Sequence, residues 1–490
     1  MKADTREMTI PFEVEQVVDE NEKSVAIATE VVKPEPNRNS ETILNNLIGE
    51  RDRNAEKKAN ALHGATAYKQ LFASSHAPEE PKRRPTFIRD ITGPAPQNAQ
   101  TAAGQFSLPG FATYADDVNF LYNDNSTKEL RMNEYVVGEN GIGKKIVKLL
   151  LDAILQLINN DDEEGWTIDK KYRKIKEAAG QAKTAERPAV KIRIINPNIT
   201  KPELNQLGDE SDGKPLFMHV QEPDELDTLK GGQRGRQHFE ILKKADDESN
   251  TAGQMRAGTK SISAKYNLRL QYVIEIRPTQ LLDFFRGEIV NGARDRASIC
   301  EILPLEDKHK WPKMGKLGEE YQAKIRPYIE NIQKAKGTII CKRANKLIDK
   351  LRNEFFDYYD ETQDDVLELM THRALCRAFK RACLCFIAAG QNWDPALDTW
   401  IRWSFMYDMW QQFHYFYDAI RSANSELKFT KQGPPSLSNS LPIEFCFAQL
   451  KELYIKLGLG DDETKMHGTI RSWIKRGKIE RTETGFRKLK

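Results

Sequence analysis

The sequence predicts an α/β fold: a parallel sheet covered by helices on both faces, then a stretch of helices alone, then a small basic unit at the C-terminal side. Three observations predict it. Short apolar runs alternate with helical patterns from about Leu108 to Leu303, strand signals fade beyond Pro304, and Gly433-Pro434-Pro435-Ser436 interrupts the chain before a last set of short elements.

The five apolar runs are Glu134–Val137, Val190–Ile195, Leu216–Val220, Leu268–Ile276 and Ala297–Leu303. Between the first two lies Ile146–Ile158, apolar on nearly every side, the pattern of a helix buried against a sheet. After the second, Thr200-Lys201-Pro202-Glu203 has capping-box spacing with proline in the first turn, and opens a helix through Leu204 and Leu207. Beyond Pro304, Glu319–Lys334, Ile340–Glu361, Asp364–Ala389 and Asp394–Asn424 read as helices, the last capped by Asp394-Pro395. Toward the N-terminal side the chain is polar and acidic to about Asn39 and mostly helical from Ser40 to Ser74. From His76 to Gly104 it reads as a proline-punctuated linker carrying the basic knot Lys82-Arg83-Arg84. The expected organisation is therefore a mostly disordered region over 1–107 with a helix near 40–74, an α/β domain over 108–305, a helical domain over 306–432 and a small domain over 433–490.

With 75 Lys+Arg against 72 Asp+Glu the 490-residue chain has a net charge of +3, which excludes a uniformly basic coat; any nucleic-acid contact must come from a local patch. The six cysteines show no paired spacing with histidines, so no zinc site is expected and buried free thiols in a reducing cytoplasm are. The early residues Asp4, Arg6 and Glu13 do not suit a signal peptide, and no apolar run approaches a membrane span.

The chemistry concentrates at Gly138-Glu139-Asn140-Gly141-Ile142-Gly143-Lys144-Lys145, which fits Gly-x-x-x-x-Gly-Lys between an apolar strand and an apolar helix. Glycines let backbone N–H groups turn inward around phosphates, the helix points its positive end at them, and the lysine neutralises β/γ oxygens. Gly138, Gly141, Gly143, Lys144 and Lys145 are thus the expected cofactor-binding residues and the core is expected to be a P-loop NTPase. The next position normally carries a Ser or Thr hydroxyl for Mg²⁺; Lys145 stands there instead. Leu216–Val220 followed by Gln221-Glu222 is the best second half of such a site. Glu222 is placed to orient an attacking water, while Gln221 replaces the acid that would help hold the metal. ATP with Mg²⁺ is the expected ligand, with Asp224 or water as a substitute metal contact. A site with weak or no hydrolysis is the alternative, and an ordinary acidic loop remains a reading of Glu222, Asp224 and Glu225.

With these residues in view, the stretch from about Leu108 to Asn424 resembles a family of phage and mobile-element replication proteins, the primase–helicase-like P-loop ATPases. The resemblance rests on the glycine loop and on Leu216-Phe217 through Glu222 with Asp224 and Leu226. It rests also on Tyr266-Asn267-Leu268 leading to Arg277-Pro278-Thr279, and on Phe284-Phe285-Arg286 followed by Asn291-Gly292-Ala293-Arg294-Asp295-Arg296. The family's Gly-Thr-Pro near Arg277–Thr279 is missing, and with it the usual γ-phosphate sensor. The resemblance implies that Arg296, with Arg294 as second choice, acts as an arginine finger toward a neighbouring subunit of a homo-oligomer. A surface ion pair is the alternative for Arg296. No polymerising primase motif stands in the N-terminal segment.

Trp400, Trp403, Tyr407 and Trp410 recur at three- and four-residue spacing and read as bundle core rather than as a base-stacking platform. At the C-terminal side, a stripe of Phe447, Leu450, Leu453 and Leu457 is followed by a second helix carrying Met466, Ile470 and Trp473. A hairpin turning at Thr484-Gly485 completes a winged helix-turn-helix. Lys465, Arg471, Lys475, Arg476, Lys478 and Arg487 make it the densest basic patch of the chain, suited to DNA phosphates. The sequence thus reads as a DNA-associated, helicase-like P-loop ATPase of phage or mobile-element replication. The alternatives are a degenerate P-loop scaffold that binds DNA or a partner through the tail, and a nucleotide-gated assembly protein.

Overall fold

The computed structural model describes residues 66–179, 188–231, 235, 237–254, 264–305, 307, 309–362, 364–431, 440–456, 461–475, 478–482 and 484–489. The polar segment to Asn39 and nearly all of the helix expected over Ser40–Ser74 lie outside them; 66–73 is helical.

Strands β1 (Asn133–Val137), β2 (Ile194–Ile195), β3 (Leu216–Val220), β4 (Leu270–Ile276) and β5 (Ile299–Glu301) form one sheet in the order β2-β3-β4-β1-β5. Every neighbouring pair is parallel. Four strands fall within the apolar runs and β1 begins one residue ahead of its run, at Asn133. All residues of β1 and β4 are buried, which is what erases polar alternation in a sheet covered on both faces. The run Val190–Ile195 keeps only two ladder residues. The Asp162 carboxylate takes the N–H groups of Arg193 and Ile194, at 2.9 and 2.8 Å, that a longer strand would use in pairing.

Helix α1 (Gln100–Ala112) precedes the sheet and packs across β1, β4 and β5. It corrects the expected linker. Together with the helix Thr86–Thr92 it buries Phe87, Ile88, Ile91, Ala102, Ala103 and Phe106, so the unstructured reading of residues up to 107 fails over 86–107. Gly110 is what allows close approach: a Cβ there would meet Ile154 Cγ2 at 3.2 Å. After β1 come α2 (Lys145–Ile154) and α3 (Gln156–Ala179), separated at Leu155, where the sequence predicted one helix from 146 to 158. Between β2 and β3, α4 (Lys201–Glu210) opens as predicted, with the Thr200 hydroxyl accepting from Glu203 N–H and Pro202 in the first turn. Helix α5 (Gln237–Asp246) follows β3 and rests on β4.

Helices α6 (Glu319–Lys334), α7 (Lys342–Thr362), α8 (Asp365–Ala388) and α9 (Leu397–Lys431) follow the predicted spans closely. They are not a domain with its own core. One continuous hydrophobic cluster runs from α1 and the sheet through α9, and Gly337–Ile339 pairs in parallel with Val118–Leu121. The boundary expected at 306 therefore has no counterpart in the packing. Trp400, Trp403, Tyr407 and Trp410 are buried, as the periodicity required. Separately, α10 (Phe447–Lys456) and α11 (Glu463–Lys475) pack on a three-stranded antiparallel sheet, with Phe486–Lys488 between Glu444–Phe445 and Ile479–Arg481. That unit encloses a small core of its own around Leu450, Met466, Ile470 and Ile479.

Candidate functional site

Strand order decides where a ligand fits. From β1 the chain travels to the far edge strand β2, returns one strand at a time through β3 and β4, and then steps over β1 to β5. At β1 the connections diverge to opposite sides, and in open α/β sheets the crevice outside the carboxyl ends at such a point is where ligands bind. The 138–144 loop occupies that position.

The loop is built by its glycines. Gly138 N–H continues the ladder onto Ile276 O at 3.1 Å. Gly141 and Gly143 have φ of +82° and +97°, conformations that residues with a Cβ rarely adopt. A Cβ at Gly138 would approach Ile142 Cδ1 to 2.7 Å, so a larger residue there would have to push the Ile142 side chain aside. Helix α2 then begins at Lys145 with tight first-turn bonds, Ile146 N–H to Gly143 O at 3.1 Å and Val147 N–H to Lys144 O at 2.8 Å. Among the described residues nothing accepts a hydrogen bond from any backbone N–H between Glu139 and Lys145. Glu139, Asn140 and Gly141 are exposed and Lys144 is half-buried, with no carboxylate at its ammonium among the described residues. The Lys145 side chain points no hydroxyl anywhere and is exposed.

Glu222 stands at the end of β3. Val220 is paired with Ile274 of β4, and Ile276 of β4 with Val137 of β1, so one strand separates the acidic end from the glycine loop. Two strand spacings make that gap about 10 Å, room for a polyphosphate and a water. Glu225 folds back to accept from Gln221 N–H at 2.9 Å, while Glu222 starts a short 3-10 turn over Pro223–Leu226 and is exposed. Sequence reasoning missed Glu275 and His219, which lie just inside this edge: His219 Nε2 is 2.9 Å from Glu275 Oε1. The signal was a single carboxylate within the apolar run of β4.

Arg296 ends the short helix Ala293–Arg296 and folds back onto its own chain. Its Nη1 donates to Gly292 O at 2.7 Å and its Nε lies 3.9 Å from Asp246 Oδ2. Arg294 is buried against Phe416 and pairs with Asp295. A role in trans would require Arg296 to leave Asp246. Arg277 contacts Gln280 at 3.0 Å, within the helix Pro278–Phe284 that also holds Thr279.

At the opposite end of β1 lies a polar cluster that the sequence did not announce. Glu134 and Arg381 are 3.5 Å apart, Arg377 and Asp408 2.6 Å, and Lys380 and Glu248 3.1 Å. Arg131 donates to Leu268 O at 2.6 Å and to Ala245 O at 3.2 Å. Burial pushes the Glu134 carboxyl up to about 7, only partly opposed by Arg381. These charges join α8 and α9 to the sheet.

On the C-terminal unit, Lys465, Arg471 and Lys478 are exposed with no acidic partner among the described residues, as is Arg481. Arg487 is engaged, 2.8 Å from Glu444 and 3.6 Å from Glu480. Lys475 closes α11, and Arg476 lies outside the described residues. Among the described residues no group of three or more His, Cys, Asp or Glu side chains converges, and no helix is long and apolar enough to cross a membrane. No protein-family model matches the chain, and no curated protein matches it.

Proposed function

We propose that the chain is a P-loop ATP-binding protein that associates with DNA through a C-terminal winged helix. It would work as the helicase-like ATPase of phage or mobile-element replication that the primase–helicase resemblance implies. One observation carries the nucleotide reading: a run of unclaimed backbone N–H donors from Glu139 to Lys145, at the mouth of α2 and at the point where the sheet's connections diverge. Lys144, without a counter-ion among the described residues, supplies the balancing charge. The two positions that ordinarily hold Mg²⁺ do not fit it, since Lys145 has no hydroxyl to offer and Gln221 no carboxylate, which leaves Asp224 or water as the metal contact. Glu222 orients water from across the 10 Å gap, which is about two strand spacings.

The exposed basic residues of α11 and the following hairpin, with Lys465, Arg471 and Lys478 free of acidic partners among the described residues, support DNA-phosphate contact. Lys145 and Gln221 favour a second reading, in which the nucleotide is bound but turned over slowly or not at all.

Calorimetric titration of ATP into the full chain tests this. Lys144→Ala is expected to weaken binding about ten- to hundredfold, the loss of a hydrogen bond to a charged group. Glu222→Gln is expected to retain binding and to lower DNA-stimulated hydrolysis about a hundredfold or more. Absence of ATP binding by the unaltered chain overturns the nucleotide reading; binding without hydrolysis selects the second.

A further inference from the structure

The 138–144 loop has neighbours that come from two distant parts of the chain. The segment leaving β5 turns at Leu303 and runs beside the loop, and the segment ahead of α1 lies along it. Leu303 N–H donates to Asn98 O at 3.1 Å and Gly315 N–H to Pro94 O at 2.8 Å. Asn98 ties both to the loop, its Nδ2 donating to Leu303 O at 2.9 Å and to Ile142 O at 3.2 Å. Between the segments opens a groove of about 480 Å³, lined among others by Pro96, Asn98, Leu303, Leu305 and Trp311. Small-ligand sites span about 300–1,000 Å³. The groove adjoins the phosphate-side loop directly, since a Cβ at Gly143 would meet Pro312 Cγ at 3.3 Å. At its rim Trp311 is 89% exposed, an indole that the fold leaves in water.

We propose that this groove receives the base of the nucleotide whose phosphates the 138–144 loop holds, stacked on Trp311. The inference rests on the nucleotide reading above. Stacking accepts any base, so Trp311 supplies affinity without choice. Asn98 serves as a wall residue: both of its N–H groups are committed to carbonyls and its Oδ1 is buried, so it holds the two segments to the loop.

The test is calorimetric titration of the full chain and its Trp311→Ala and Trp311→Phe variants with ATP, GTP and inorganic triphosphate. Trp311 is exposed, so neither substitution disturbs a core. ATP is expected to bind at least about tenfold tighter than triphosphate, a margin set by stacking. Trp311→Ala should weaken ATP binding about five- to hundredfold and leave triphosphate binding unchanged, and Trp311→Phe should restore most of the loss. Equal affinity of the unaltered chain and Trp311→Ala for ATP overturns the base site and leaves the nucleotide reading standing. GTP is expected to bind within a few-fold of ATP, since stacking accepts any base, and GTP binding no tighter than triphosphate overturns the stacking. Failure of both ATP and triphosphate to bind the unaltered chain overturns the nucleotide reading and this inference together.

Discussion

Strand β1 meets charged residues at both of its ends, and the two settings differ in every respect that matters. Around its first residues the charges are buried and paired, Glu134 with Arg381 and, nearby, Arg377 with Asp408, although Glu134 Oε1, Arg377 Nη2 and Asp408 Oδ1 reach no hydrogen-bond partner among the described residues. Beyond its last residue the N–H donors and the Lys144 ammonium are left open to solvent with no partner among the described residues. A buried charge without a counter-charge is expensive, so the closed cluster sets opposite charges side by side; an open loop keeps its donors unpaired only where water, or a ligand in its place, can satisfy them. The first end holds the helices to the sheet and the second is available for binding.

The comparison breaks most visibly at the closed end. Asp408→Ala strands the Arg377 guanidinium in the interior and is expected to cost about 3–5 kcal/mol in urea unfolding, a large part of the stability of an ordinary domain. A loss below about 1 kcal/mol would mean the cluster is wet and dispensable.

Glu134 gives the next effect. Burial raises its carboxyl from the usual 4.5 to about 7, so over that window the folded chain keeps a proton that the unfolded chain has released. Stability contributed by this group must then fall as pH rises from about 4.5 to 7 and level off above, with a slope of about 1 kcal/mol per pH unit. Glu134→Gln should flatten the slope, read as unfolding midpoints across that range; an unchanged slope would assign it to other groups.

In the C-terminal unit the same contrast recurs on a smaller scale. Arg471→Glu should reduce the salt dependence of DNA affinity by about one phosphate contact, whereas Arg487→Ala, already paired with Glu444 and Glu480, should reduce it by less. Equal effects would show that Arg487 leaves its partners on binding. Smallest of all, Lys144→Ala should change unfolding stability by no more than about 0.5 kcal/mol, because its charge holds nothing in place. A larger change would make the lysine part of the scaffold.

Much of the sheet was legible because residues buried on both faces leave continuous apolar runs, as in Leu270–Ile276. The loop was legible because positive φ at Gly141 and Gly143 demands glycine. Helix α1 was hidden. Its alanines and glycines, with Pro109 inside, carry no amphipathic period since every side packs, and the prolines ahead of it imitate a linker. The ionic cluster was hidden for another reason: Arg377, Lys380 and Arg381 look like a solvated stripe on α8 until Glu134, from a distant part of the chain, is brought beside them. The groove near Trp311 has no local signature either, its walls being joined by a contact between residues 205 positions apart.

Helix α9 gives the molecule an optical gauge. The indole N–H groups of Trp400, Trp403 and Trp410 donate to Glu80, Pro78 O and Ser74 O, at 3.0, 2.8 and 3.0 Å. Lifting the 74–80 strap would wet all of these rings at once and shift their emission to longer wavelength. Intrinsic fluorescence, with no label attached, therefore registers whether the strap is seated.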